Sequence, residues 1–375
     1  MPGYNITLFK IFGLEVRVNI SWAFIAVLLA WSLAQGYFPS VYEGLPKATY
    51  WWMGVAGVIG LFASIVLHEL AHSLVAQSYG MKIKGITLWL LGGVAELGEE
   101  PPSPQVEFWM AIAGPAMSIA LAVVFYGAAV LVLTDTDFKP LFEVLRYLAL
   151  INLILAIFNL IPAFPMDGGR ILRAWHWHRT GNAQKATTLA AKVGSTFGLV
   201  LILTGLATVI FGFGHNGLWW VILGMFIRFA ADSARHQAEV THTLHGQSVL
   251  DFMSTDPVAV PSNIDARQFR DTWILRFHHK VFPVVDKGIV KGVVSTRHII
   301  GLDPNTLDKH TVSEMMDPIT SENSIAASAA AEDALKTMHA TGNSRLLVME
   351  KDELVGMISL KDLFRVIAVR TEIGL

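Results

Sequence analysis

The sequence predicts an α-helical polytopic membrane domain of about six transmembrane helices, with a short β-hairpin, followed by a soluble α/β region of two tandem repeats. Three observations carry this. First, the 375 residues are 53% hydrophobic and only 15% charged, with mean hydropathy +0.49, against about 25% charged in an ordinary soluble chain. Second, the deficit is uneven: residues 18–34, 50–67, 110–133, 148–166 and 193–227 are almost free of charge, whereas 235–375 has an ordinary composition. Third, the ordinary part repeats itself.

A transmembrane helix needs about 20 apolar residues. Six spans are expected, near 18–36, 50–78, 108–133, 142–161, 193–213 and 216–234. The N-terminus carries Lys10 and Arg17, the loop after the second span Lys82 and Lys84, and the segment after the fourth Arg170, Arg173, Arg179, Lys185 and Lys192. The opposite loops carry Lys47, then Lys139 and Arg146 beside Asp135, Asp137 and Glu143. Basic loops stay inside, so both termini are expected in the cytoplasm and the protein in the cell membrane. Lys10, Glu15 and Arg17 interrupt the N-terminus, which does not read as a cleavable signal.

Net charge is −2, which suggests no nucleic-acid partner. Cysteine is absent, so any metal must be held by histidine and carboxylates.

Between the second and third spans, residues 83–97 (IKGITLWLLGGVAEL) place β-prone residues on both sides of Gly92–Gly93, a hairpin signal. The stretch is too short to cross as a helix, so it is a re-entrant or interfacial hairpin, or else a surface loop. In the soluble part, VLDFMSTDPVAV at 249–260 aligns with VSEMMDPIT at 312–320, and 281–299 aligns with 345–363. Each unit reads helix, strand, strand, helix, and such a pair is expected to share one core.

HELAH occupies 68–72. His68 and His72 are spaced i, i+4, so a helix puts them on one face, where two imidazoles can grip one tetrahedral zinc. Glu69 between them can act as general base toward a water at the metal. The motif ends the uncharged run Tyr50–Leu67, and ionisable groups at membrane depth imply a compensating ligand or function. A catalytic zinc needs a third protein ligand. The fourth span ends in FNLIPAFPMDGGR, 158–170, where Pro162 and Pro165 break the helix and Gly168 and Gly169 are expected to turn the backbone sharply. Spans two and four run in the same direction, so HELAH and Asp167 emerge on one side. Asp167 is the expected third ligand; the blander reading is a cap of the next helix.

HELAH, AGPAMS at 113–118 and NLIPAFPMDGGR at 159–170 together resemble the site-2 protease family of intramembrane zinc metalloproteases. The resemblance covers about the first 175 residues. It implies cleavage of a membrane-spanning protein substrate in or near its transmembrane segment, with one zinc on His68, His72 and Asp167 and Glu69 as catalytic base. Where the family often has AGPxxN, this chain has Ser118, which can still hydrogen-bond. Asn159 matches the family's motif asparagine and either orients substrate or the oxyanion, or only satisfies broken-helix backbone. The 83–97 hairpin could hold an unwound substrate extended by β-augmentation.

The repeat resembles a tandem pair of CBS domains. Such pairs commonly bind adenine nucleotides (ATP or AMP), with the Asp of a G-h-h-S/T-x-x-D segment on the ribose. Gly356–Asp362 (GMISLKD) fits, whereas Gly292–His298 (GVVSTRH) has His298 in the Asp place. One nucleotide site is therefore expected, near Ser359 and Asp362, with Thr296 a weaker candidate. The alternative is a structural pair that forms a homodimer or docks on substrate. The layout is then a transmembrane zinc protease domain at 1–238, a first CBS repeat at 245–308 and a second at 309–372. Competing functions are a CBS-regulated transporter or channel, and a catalytically silent scaffold binding membrane helices.

Overall fold

The computed structural model describes residues 5–89, 92–97, 100–132, 138–212, 217–244 and 246–372. The chain divides into two compact units, 1–238 and 239–375.

The first unit opens with a hairpin that the sequence reading left as plain N-terminal flank. Strands β1 (Asn5–Ile11) and β2 (Leu14–Asn19) pair antiparallel from Asn5↔Asn19 to Ile11↔Leu14. The turn uses Phe12 and Gly13, both at positive φ, the twist a two-residue hairpin favours. The expected hairpin forms as β3 (Ile83–Trp89) and β4 (Gly92–Leu97), but it does not stand alone. β2 pairs in parallel with β3, Glu15↔Gly85 to Val18↔Leu88, giving one sheet in the order β1-β2-β3-β4. Gly92 and Gly93 lie in β4, opposite Trp89 and Leu88, rather than forming the turn. The turn itself, at 90–91, is outside the described residues.

Asn19 ends β2 and caps α1 (Ile20–Ser32), its side chain accepting from the Ser21 N–H. A π-helical turn, Leu33–Tyr37, joins α1 to α2 (Phe38–Val41). Then follow α3 (Lys47–Ser78), α4 (Pro104–Val132), α5 (Lys139–Asn159), α6 (Asp167–Thr180), α7 (Ala183–Ile210) and α8 (Gly217–Leu244). Six helical stretches among the described residues are long and apolar enough to cross a membrane: Ile20–Val41, Lys47–Ser78, Pro104–Val132, Lys139–Asn159, Ala183–Ile210 and Gly217–Val240. The fifth starts ten residues before the apolar run that signals it, because the Asn182 side chain caps it at the Lys185 N–H.

Of the six, α3 is the inner helix: 44% of its most apolar stretch is buried by protein, against 17–33% for the others. Leu14, Val16 and Ile86 of the sheet pack on Val66 and Leu70 of α3, beside HELAH. Ala30, Leu33, Phe38, Met53, Val58, Tyr147 and Leu148 join α1, α2, α3 and α5. Phe24, Leu131, Ile210 and Phe229 point outward, as lipid-facing residues do.

The second unit holds two small sheets. One has the order β5-β6-β7-β8, with β5 Val260–Pro261, β6 Val281–Asp286, β7 Ile289–Ser295 and β8 Asp317–Pro318. The other has the order β11-β10-β9, with β9 Ser324–Ala326, β10 Arg345–Glu350 and β11 Glu353–Ser359. In each the first pairing is parallel and the hairpin antiparallel. Each repeat also lends backbone to the other: β8 pairs with β7 at Gly292 and Val293, and Ser254 bridges to Met357 in β11. Val290, Val293, Leu347 and Met357 pack between the two sheets, the shared core that the repeat implied.

Candidate metal centre

The first unit brings His68, His72 and Asp167 to one buried point. α3 is continuous through HELAH, so both imidazoles leave one face, and Asp167 begins α6. His68 is 4%, His72 5% and Asp167 8% exposed. Their ligand atoms lie within 4.8 Å of one another. His68 Nε2 and His72 Nε2 are each 3.2 Å from Asp167 Oδ2 and 3.2 Å from each other.

An equilateral triangle of that size fits a metal. Tetrahedral zinc with bonds of about 2.0–2.1 Å sets its ligand atoms about 3.3 Å apart, leaving the fourth corner open. The ring tautomers agree. Met110 O, 2.6 Å from His72 Nδ1, can only accept, so Nδ1 carries the hydrogen and Nε2 offers a lone pair. His68 Nδ1 lies 2.8 Å from Ser118 Oγ, a hydroxyl that can accept from it and so allows the same tautomer. In that tautomer two imidazole lone pairs and a carboxylate oxygen face one another, a donor set suited to a divalent cation.

α4 supplies the supports. Pro115 removes a ladder donor in the middle of α4, one turn beyond the Met110 carbonyl that receives His72. Gly114 stands where a Cβ would overlap His72 Nε2 and crowd His68 Nε2. The conservation of space rather than of polarity is what this position contributes. Gly168 and Gly169 serve differently from the sharp turn expected of them. Neither has positive φ; they form the first turn of α6, pressed on the backbone of Leu160, Ile161 and Ala163 where any Cβ would clash. Nor does Asp167 cap α6: Met166 takes the cap position, without a side-chain bond.

Glu69 is half-buried and has no hydrogen-bond partner among the described residues. Asn159 ends α5 with its amide donating to Leu155 O at 3.1 Å. The structure thus ties Asn159 to its own helix, not to the imidazoles or Asp167. The supports Met110 O, Gly114 and the Glu107–Arg173 ion pair, 2.9 Å, escaped the sequence reading. A carbonyl leaves no side-chain signal, and nothing in the sequence pairs Glu107 with Arg173, 66 residues away.

In the second unit, a cleft of about 220 Å³ is lined by Ser254, Asp256, His279, Arg345, Ser359 and Asp362 among others. Asp362 accepts from the Ser359 backbone N–H and hydroxyl. Partial burial and then Arg345 push His279 below the usual imidazole range, with Asp362 pulling it back. A second cleft, about 410 Å³, holds Ser295, Thr296 and His298. There His298 Nδ1 accepts the Ser295 N–H, and Nε2 lies 3.3 Å from Asp317 Oδ2. His298 thus repeats the local bond of Asp362 without its free carboxylate.

The six apolar helices, the buried His-His-Asp cluster and the HELAH sequence that carries its histidines are the features of a polytopic membrane metalloprotease. The chain belongs to Peptidase family M50, matched at 56–142 and 134–204, and carries two CBS domains, matched at 249–304 and 312–369. It is similar to Rip3 of Mycobacterium tuberculosis, assigned by name to the zinc metalloproteases: 35% identical over 356 residues, 94% of this chain and 90% of that one. The zinc metalloprotease MJ0392 of Methanocaldococcus jannaschii is 31% identical over 368 residues, 98% of this chain and 97% of its own. Among solved structures, the site-2 protease from Methanocaldococcus jannaschii is 33% identical and covers 62% of this chain and 95% of that one, with a TM-score of 0.44. Zinc metalloprotease is therefore the function class, in place of the transporter or silent-scaffold alternatives.

Proposed function

We propose that the protein is an intramembrane protease that hydrolyses a peptide bond in or near the transmembrane segment of another membrane protein. His68, His72 and Asp167 hold one zinc, and Glu69 is the general base. The observation that carries this is the 3.2 Å triangle of ligand atoms buried among apolar helices.

A zinc held by His68, His72 and Asp167 would supply Lewis-acid polarisation of the scissile carbonyl and would lower the pKa of a nearby water to about 7. The rest falls to the chain. Glu69, next to His68 and not engaged elsewhere among the described residues, takes the proton from the attacking water and returns it to the leaving amine. Asn159 keeps one amide hydrogen beyond its bond to Leu155 O, and we assign it to the substrate backbone or oxyanion. A transmembrane helix hides its carbonyls in its own hydrogen bonds, so the substrate must unwind locally. β4 is an outer strand of the sheet that packs on α3, with no further strand beside it among the described residues, and that edge suits an extended segment added as a further strand.

The N-terminus and the CBS tail are assigned to the cytoplasmic side of the cell membrane by the basic loops. The meeting of HELAH with Asp167 supports the parallel course of α3 and α5 on which that assignment depends. An adenine nucleotide is assigned to the cleft beside Ser359 and Asp362, where it modulates proteolysis; Thr296 lines the other cleft. The CBS pair is also the surface through which two copies would dimerise. Substrates are single-span proteins, either regulatory precursors or leftover signal peptides.

The test is co-expression of candidate single-span proteins with wild type and with Glu69→Gln. Zinc-dependent truncation by wild type alone is expected. Equal truncation by both would remove Glu69 from the reaction.

A further inference from the structure

Four residues of α4 make one stripe: Glu107, Met110, Gly114 and Ser118, spaced three, four and four apart. Three of them face the elements that carry the three ligands. Met110 O receives His72 Nδ1, and Ser118 Oγ meets His68 Nδ1. Gly114 leaves the room between them. Glu107 Oε1 accepts from Arg173 Nη1 at 2.9 Å, and Arg173 belongs to α6, whose first residue is Asp167. The stripe therefore has two contacts on α3, one for each histidine, and one on α6.

We infer that Glu107 and Arg173 are a positioning pair that sets α6 along α4 and thereby brings Asp167 to the metal; the inference rests on the zinc reading above. Six residues of helix separate Arg173 from Asp167, about 9 Å of rise, so the pair acts through α6 and not by touching the metal ligands. α6 needs such an anchor because Met166 provides no side-chain cap at its start. The pair is also poorly built for stability alone. Glu107 is fully buried, and its Oε2 and the Arg173 Nε have no partner among the described residues. Buried charges left partly unsatisfied contribute little net stability, and register is their better-attested use. Glu100, largely exposed, adds only a rim contact to Arg173 Nη2 at 3.1 Å.

The test uses the detergent-solubilised full chain, reading zinc affinity by competition with a chromophoric chelator and thermal stability in parallel. The variants are Arg173→Lys, Arg173→Met and the double change Glu107→Met with Arg173→Met, with Asp167→Ala as reference. Arg173→Met strands a buried carboxylate and loses both stability and zinc affinity. In the double variant, the apolar pair restores the melting temperature while zinc affinity stays on the order of tenfold below wild type, the range for outer-shell partners. Arg173→Lys keeps the charge and the fold but not the fork geometry, and zinc affinity falls several-fold. Wild-type zinc affinity in the double variant, or in Arg173→Lys should the double variant not fold, overturns the inference while leaving the metal site standing. Failure of wild type to bind zinc more tightly than Asp167→Ala overturns the metal reading, and this inference with it.

Discussion

His68 Nδ1 lies 2.8 Å from Ser118 Oγ, across the interface of α3 and α4, and this contact turns the opposite ring nitrogen toward Asp167. Outer partners of metal-bound histidines commonly govern affinity about 10–100-fold. Ser118→Ala should weaken zinc binding by roughly that range with little change in helix content, whereas Ser118→Asn should keep most of it by restoring a polar partner. Chelator competition on the purified variants measures this; an alanine variant with unchanged affinity would show that the hydroxyl does not hold the ring.

Gly114→Ala puts a methyl group onto His72 Nε2 and His68 Nε2. Alanine favours a helix by about 1 kcal/mol over glycine, so the fold should survive. Zinc content and proteolysis should both fall to background. Circular dichroism and elemental analysis on one sample separate this outcome from unfolding.

Strand β4 offers its outer edge to substrate in our account. Neighbouring residues of a strand point their N–H groups to opposite sides, so of Val94→Pro and Ala95→Pro one removes an outward donor and the other a ladder donor to β3. The variant that spares the ladder should lose cleavage while keeping zinc. Leu90→Pro, at a position outside the described residues, should also reduce cleavage. Normal cleavage by all three variants would rule out strand addition.

Ser359→Ala and Asp362→Asn alter the cleft in which Asp362 is held by the Ser359 hydroxyl and N–H. Each should cut adenine-nucleotide affinity at least several-fold, while Thr296→Ala in the other cleft should change it little. Isothermal titration of the full chain with ATP and AMP reads the difference. Equal losses at Thr296 and Asp362 would mean two equivalent sites.

Much of this architecture was legible because membrane helices and metal motifs are governed by local rules. Tyr50–Leu67 had to be a buried helix, and that helix had to put His68 and His72 on one face. Asp167 followed from the direction of two spans. Other features depend on chain segments far apart in sequence. β1 and β2 form a local hairpin, yet it is the pairing of β2 with β3, some seventy residues on, that joins it to β4 in one four-stranded sheet. Met110 contributes a backbone carbonyl, which no residue type announces. Glu107 and Arg173 are 66 residues apart, and no local pattern announces that they meet. The glycines of DGG were expected to turn the backbone sharply; instead they form a helical first turn, and close approach to residues 160–164 is what requires them.

The most direct measurement is the zinc content of the purified full chain by elemental analysis, in wild type, Glu69→Gln, His68→Ala, His72→Ala and Asp167→Ala. The account predicts about one zinc per chain in the first two, since three protein ligands suffice, and near background in the other three. Full zinc occupancy in Asp167→Ala would contradict it, because the carboxylate 3.2 Å from both imidazoles would then not be holding the metal.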